Sequence, residues 1–99
     1  MLAVYTLWKS VYDDGRILFG GRYNSPETRE CFGTEVDSLA NLVKAFQTHH
    51  HIPELDHGDS IQTVSGESRW GSSTFGKSTH HPVSLADILE FEKGFEKKS

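Results

Sequence analysis

The sequence predicts an α+β domain: an antiparallel sheet of about four strands, formed by two hairpins, with two helices packed on it in the order ββαββα. Three observations carry this. β-Branched and aromatic residues flank an Asp-Gly pair near the N-terminus. Leu39, Leu42, Val43 and Phe46 recur at helical spacing behind a capping residue. A second strand–turn–strand stretch leads into a second capped apolar stripe.

In the first hairpin, residues 2–12 (LAVYTLWKSVY) and 16–23 (RILFGGRY) flank Asp13-Asp14-Gly15. Asp-Gly suits the positive φ of a type I′ turn. With Asp14-Gly15 as a two-residue turn, Tyr12 faces Ile17 and Ser10 faces Phe19. Trp8 then falls opposite Gly21, an aromatic ring over bare backbone. A bulge at Gly20-Gly21 would shift this register. Residues 24–34 (NSPETRECFGT) read as a loop with a short strand around Cys31. Asp37 reads as the N-cap of a helix over about 38–49, which fades into His49, His50 and His51.

The connector HHHIPELDHGD is broken by Pro53 and Gly58. SIQTV (60–64) is a short strand, Ser65-Gly66 begins a turn, and SRWGSSTF (68–75) is the expected partner strand. Pro82 ends an irregular stretch. Ser84 caps the second helix, with Asp87 at N3 as a variant capping box. Leu85, Ile88, Leu89, Phe91 and Phe95 give it a wide apolar face, and Lys93, Lys97 and Lys98 sit near its C-terminus, the end that favours cations. The strings SLANLVKAF (38–46) and SLADILEFE (84–92) resemble one another. They mark either an internal ββα repeat or the convergence of two capped amphipathic helices.

Ninety-nine residues make a single domain, 1–99. Apolar residues are 35% and mean hydropathy is -0.50, so the core is lean and leans on the 11% of aromatic residues. The net charge of -4 offers no basic face for nucleic acid. Protonating all six histidines would carry the charge from -4 to +2, so solubility should depend on pH. One cysteine, Cys31, forms no internal disulfide. With no secretory h-region and no run of membrane-spanning length, a cytoplasmic protein without a membrane partner is expected.

Residues 71–79, GSSTFGKST, fit the G-x-x-x-x-G-K-[ST] string of phosphate-binding loops. The string works only between a buried strand and a helix that begins at the lysine. Here GESRW precedes it and Pro82 follows five residues after Lys77, so a helix there would be cut short. Nucleotide binding is therefore not expected. His50, Glu54 and His57, with His80, His81 and Cys31, are metal-ligand types without a recognised spacing. The bland reading is a solvated helix C-terminus, so no metal or other cofactor is expected. Cys31 with a histidine, or Ser78-Thr79-His80, would form a nucleophile–base pair, but neither shows a third orienting group.

Elimination leaves a non-catalytic module that binds another protein and blocks it sterically. Small inhibitors, antitoxin- or immunity-like proteins and viral accessory factors work this way. The expected contacts are Arg69, Trp70, Phe75 and Lys77 on one segment, with Arg22 and Tyr23 on the hairpin edge. Two alternatives stand beside it. One is a small metal- or ligand-dependent enzyme using the His-rich connector and the 71–81 loop. The other is a homodimeric structural module pairing an exposed strand edge across a two-fold axis.

Overall fold

The computed structural model describes residues 3–72 and 76–95, and only the backbone of residues 70–72. The fold is α+β. Among the described residues, six strands and two helices run in the order βββαβββα: β1 (Val4–Tyr12), β2 (Ile17–Asn24), β3 (Cys31–Val36), α1 (Leu39–Thr48), β4 (Ser60–Thr63), β5 (Ser68–Ser72), β6 (Gly76–His81) and α2 (Leu85–Gly94). The sheet follows the order β3-β2-β1-β6-β5 with antiparallel pairings, and β4 joins it as a parallel neighbour of β1. The expected four strands and ββαββα order are thus corrected to six strands.

Strand β1 organises the sheet. One edge pairs with β2 along almost its whole length. The other edge is divided: Val4–Leu7 pair with β4 and Lys9–Tyr12 pair with β6. Strands β4 and β6 approach from opposite directions, and both end beside Trp8.

The first hairpin turns on three residues rather than two. Tyr12 N donates to Arg16 O at 2.8 Å, and Gly15, at φ +94°, closes the loop with its N–H on Tyr12 O at 2.9 Å. This matches a type I turn followed by a left-handed bulge residue, which glycine adopts without strain. Val11 therefore faces Ile17, Ser10 faces Leu18 and Trp8 faces Gly20. The one-residue shift moves every β2 side chain to the other face relative to the expected pairing.

In the second half, β5 pairs with β6 and not with β4. The segment GKSTHH, expected to be irregular, is strand β6. It lacks apolar alternation, and its strand state rests on backbone pairing with β1 and β5. The two halves share an element order but not a topology. Strands β1–β3 form a meander, while β4 leaves its neighbours to pair with β1.

Both helices cover one face. Helix α1 packs on β2 and β3, α2 packs on β4, and the helices pack on each other. Ser38 caps α1, where Asp37 was expected. The Ser38 hydroxyl accepts from Asn41 N at 3.2 Å, and Asp37 holds the Asn41 side-chain amide at 2.6 Å. The expected stripe Leu39, Leu42, Val43 and Phe46 is buried. Tyr5 sits at the centre of the core, with Tyr23, Phe46 and Phe91 at 5.3, 5.6 and 6.0 Å between ring centroids.

Ser84 and Asp87 form the expected capping box of α2. Its apolar face is narrower than expected: Phe91 and Phe95 are buried, but Leu85 and Leu89 are 71% and 54% exposed. At about 100° per residue, Leu89 points roughly 130° from the centre of the Ile88–Phe91–Phe95 stripe. Among the described residues, no helix is long and apolar enough to cross a membrane.

Candidate functional site

The face that the helices leave open carries a carboxylate. Register places Glu35 of β3 opposite Gly20 of β2, and Gly20 opposite Trp8 of β1. Gly20 is required here. A methyl group on it would come within 2.1 Å of Trp8 Cε2, so the indole rests directly against the backbone.

Three donors converge on Glu35. Trp8 Nε1 donates to Oε2 at 2.9 Å, Ser10 Oγ to the same oxygen at 2.5 Å, and Tyr12 Oη to Oε1 at 2.5 Å. Trp8, Ser10 and Tyr12 are alternate residues of one strand, so the two-residue period of β1 aims all three at one place. His80 of β6 faces Ser10. Its Nε2 lies 3.5 Å from Glu35 Oε2, and its ring stacks on Trp8 at 5.3 Å and 16°. Ser10, Tyr12 and Ser78 are buried although no helix covers them. The cluster supplies its own cover, with the Arg16 guanidinium 5.0 Å over the Tyr12 ring.

Burial pushes the Glu35 carboxyl up, but the three hydrogen bonds and nearby His80 outweigh it. The group is held below the usual carboxylate range. Burial also holds His80 below the usual imidazole range, against the pull of Glu35. At neutral pH His80 is therefore uncharged, and the carboxylate is held chiefly by its neutral donors. Tyr12 is pushed up to about 12, by burial first and then by its bond to Glu35. With both oxygens engaged, Glu35 is a fixed anion that locks Trp8 and Tyr12 in place. It is poorly arranged to take a proton from a substrate.

Where β4 and β6 end beside Trp8, the open face dips into a recess of about 430 Å³. Trp8, Val64 and His80 line it together with Thr6, Arg22 and Asn24. The volume falls within the range of small binding sites, and the lining combines apolar walls with a few polar groups.

Of the residues singled out from sequence, Arg22 lies in this recess and is exposed. Its neighbour Tyr23 points the other way, as strand alternation requires. Tyr23 is 7% exposed and stacked on Phe32 at 4.7 Å, so its ring belongs to the core and not to the expected partner surface. Arg69 is exposed at the far edge, donating to Asp13 at 2.7 and 3.0 Å and to Thr79 at 3.3 Å. Lys77 is exposed on β6, opposite Gly71. The Trp70 side chain and the whole of Phe75 lie outside the described residues, as do Lys97 and Lys98. Arg22 is therefore separated from Arg69 and Lys77 by the intervening strands.

Lys77 and Ser78 lie inside strand β6, so among the described residues no helix begins at the lysine of this string, where the phosphate-loop pattern needs one. The metal-ligand types are scattered. His50 stacks on Phe32 at 4.0 Å and is held below the usual imidazole range by burial and by His49 and His51. His81 Nδ1 lies 2.8 Å from Glu67. Cys31 Sγ accepts from Arg22. Among the described residues, no three metal-ligating side chains come together.

Sequence reasoning missed Glu35, Ser10 and Tyr12. The available signal was Trp8 opposite a glycine, and the one-residue register error hid which β3 side chain shared its face. The chain matches no protein-family model, no curated protein and no solved structure.

Proposed function

We propose that the chain is a non-catalytic protein-binding module whose working surface is the helix-free face of its sheet. One observation carries this reading. Trp8, His80 and Tyr12 are locked around Glu35 beside an open recess, so the face is rigid before any partner arrives. Rigid aromatic and arginine side chains around a recess are what protein interfaces use as anchors. Such a module acts by occlusion, in the manner of small inhibitors, antitoxin- or immunity-like proteins and viral accessory factors.

The test is partner capture on immobilised protein from a lysate of the native host. Thr6→Arg places a bulky cation across the recess, while Lys44→Glu alters exposed α1 on the opposite face. A partner retained by the unaltered chain and by Lys44→Glu, but lost with Thr6→Arg, is the expected result. Equal retention by Thr6→Arg, in protein that melts normally, would move the interface elsewhere.

A further inference from the structure

We infer that the recess seats an acidic side chain of the partner protein, with Arg22 as its cationic anchor. This rests on the proposed binding face and names the chemistry that the face accepts.

The charges around the recess point to an anion. Arg16 and Arg69 are each neutralised by an aspartate, Asp14 at 2.8 Å and Asp13 at 2.7 Å. Arg22 has no carboxylate among the described residues. Its Nε and Nη2 reach only Cys31 Sγ, at 3.4 and 3.3 Å. Sulfur is a weak acceptor that leaves the guanidinium charge uncompensated. The nearby anion, Glu35, has both oxygens occupied by other donors.

The sulfur contacts also orient the fork. They fix one side of the guanidinium, while Nη1 has no partner among the described residues. A fork already oriented loses little freedom when it meets a carboxylate. Asn24 lies two residues along β2, on the same face, and adds an amide. Trp8 and Val64 provide apolar wall for the methylene stem of an acidic residue. Exposed strand surface around Arg22, with Gln62 on β4 and Gly33 on β3, leaves room for the rest of a partner chain.

Blocked tripeptides of sequence Leu-Glu-Leu and Leu-Gln-Leu are titrated into ¹⁵N-labelled protein, with benzoate as a third probe. The glutamate peptide should shift the amides of Thr6, Trp8, Arg22 and Asn24. It should bind about fivefold more tightly than the glutamine peptide at low salt. That preference should shrink as ionic strength rises from about 50 to about 500 mM. Arg22→Gln should abolish the preference, and Asn24→Asp, which brings a like charge into the recess, should reverse it. Arg69→Gln should leave it intact.

Equal binding of the two peptides, or a preference that survives Arg22→Gln, would overturn the inference. Benzoate binding well above the glutamate peptide would overturn the partner-chain assignment in favour of a small acid. The two readings fail separately. A partner lost with Thr6→Arg but retained by Arg22→Gln would sink the carboxylate seat and leave the binding face standing. A glutamate preference with no partner lost by Thr6→Arg would do the reverse.

Discussion

Trp8 and Phe46 lie against the same pair of glycines from opposite sides of the sheet. A methyl on Gly20 would strike Trp8, and one on Gly21 would come within 2.9 Å of Phe46. Their surroundings differ in kind. Phe46 meets Tyr5, Phe91 and Phe32 at 5.6, 5.7 and 5.8 Å, with the half-buried His50 ring at 5.5 Å, and its stabilisation comes mainly from apolar area removed from water. Trp8 meets a carboxylate, an imidazole and two hydroxyl-bearing neighbours, all joined through Glu35. The apolar side tolerates exchange of similar volumes. The polar side depends on every member finding its partner. One face holds the fold together, and the other spends structure on holding side chains still beside an open surface.

The largest expected effect breaks the apolar side. Phe46→Ala should cost about 3–5 kcal/mol, through lost transfer energy and a cavity at the centre of the core. Urea unfolding would measure it. On the polar side, Glu35→Ala should cost about 2 kcal/mol, because it strands three donors. Glu35→Gln should recover only part, since its amide group meets donors with a donor. Adding Ser10→Ala and Tyr12→Phe to Glu35→Ala should restore much of the loss. If the triple variant is no more stable than the single one, the polar cluster is not a coupled unit.

A pH titration sharpens the contrast, because the rings of Tyr5, Phe46 and Phe91 carry nothing that titrates in acid; on that side His50, held low where it stacks on Phe32, adds its own decline below about 6.5. Glu35 is held low in the folded chain, so its contribution is complete above its ordinary value of about 4.5 and is lost as pH falls through the folded value. His80 is also held low, so the folded chain binds its proton less readily than the unfolded one. Stability should therefore decline once pH drops below about 6.5, and level off below the folded value. Tyr12 is held high, so its contribution is present below about 10 and is lost as pH rises toward about 12. Melting temperature against pH should fall on both limbs. In Glu35→Gln the carboxylate part of the acid limb should vanish, while the His80 part grows because the neighbouring anion is gone. An unchanged acid limb would mean that Glu35 does not set it. The smallest effect is expected at the exposed Asp13–Arg69 pair, where Arg69→Gln should change stability by less than about 0.5 kcal/mol in the same melts.

The sequence made the helix-covered side legible and the open side largely illegible. The stripe in α1, the Ser84–Asp87 box and the first hairpin all declare themselves within a few residues, because capping and amphipathic spacing are local. The turn itself was ambiguous: Asp13-Asp14-Gly15 fits a two-residue or a three-residue loop, and the choice decides which face Leu18 and Gly20 share with Trp8. Strand β6 escaped because GKSTHH lacks alternation and because one of its two partners, β1, lies at the other end of the chain. The recess needs β4 and β6 to meet at Trp8, a coincidence of two long-range pairings that no local pattern encodes. Arg22 was singled out as a contact residue, but for its place on a hairpin edge and not for the site that now surrounds it.

The divided edge of β1 has a consequence for the order in which the protein is made. Residues 4–12 leave the ribosome before the rest of the sheet, and β2, β3 and α1 can assemble on them as they follow. The second edge must wait for residues 60–63 and then for 78–81. Until then the strand destined for the interior of the sheet is a border, with a row of backbone groups open to any passing chain. Pairings between such distant segments are also slow to form. The nascent chain is thus most exposed to misassembly after α1 is finished and before β6 has emerged, and the closing of that border by β6 marks the end of its vulnerable period.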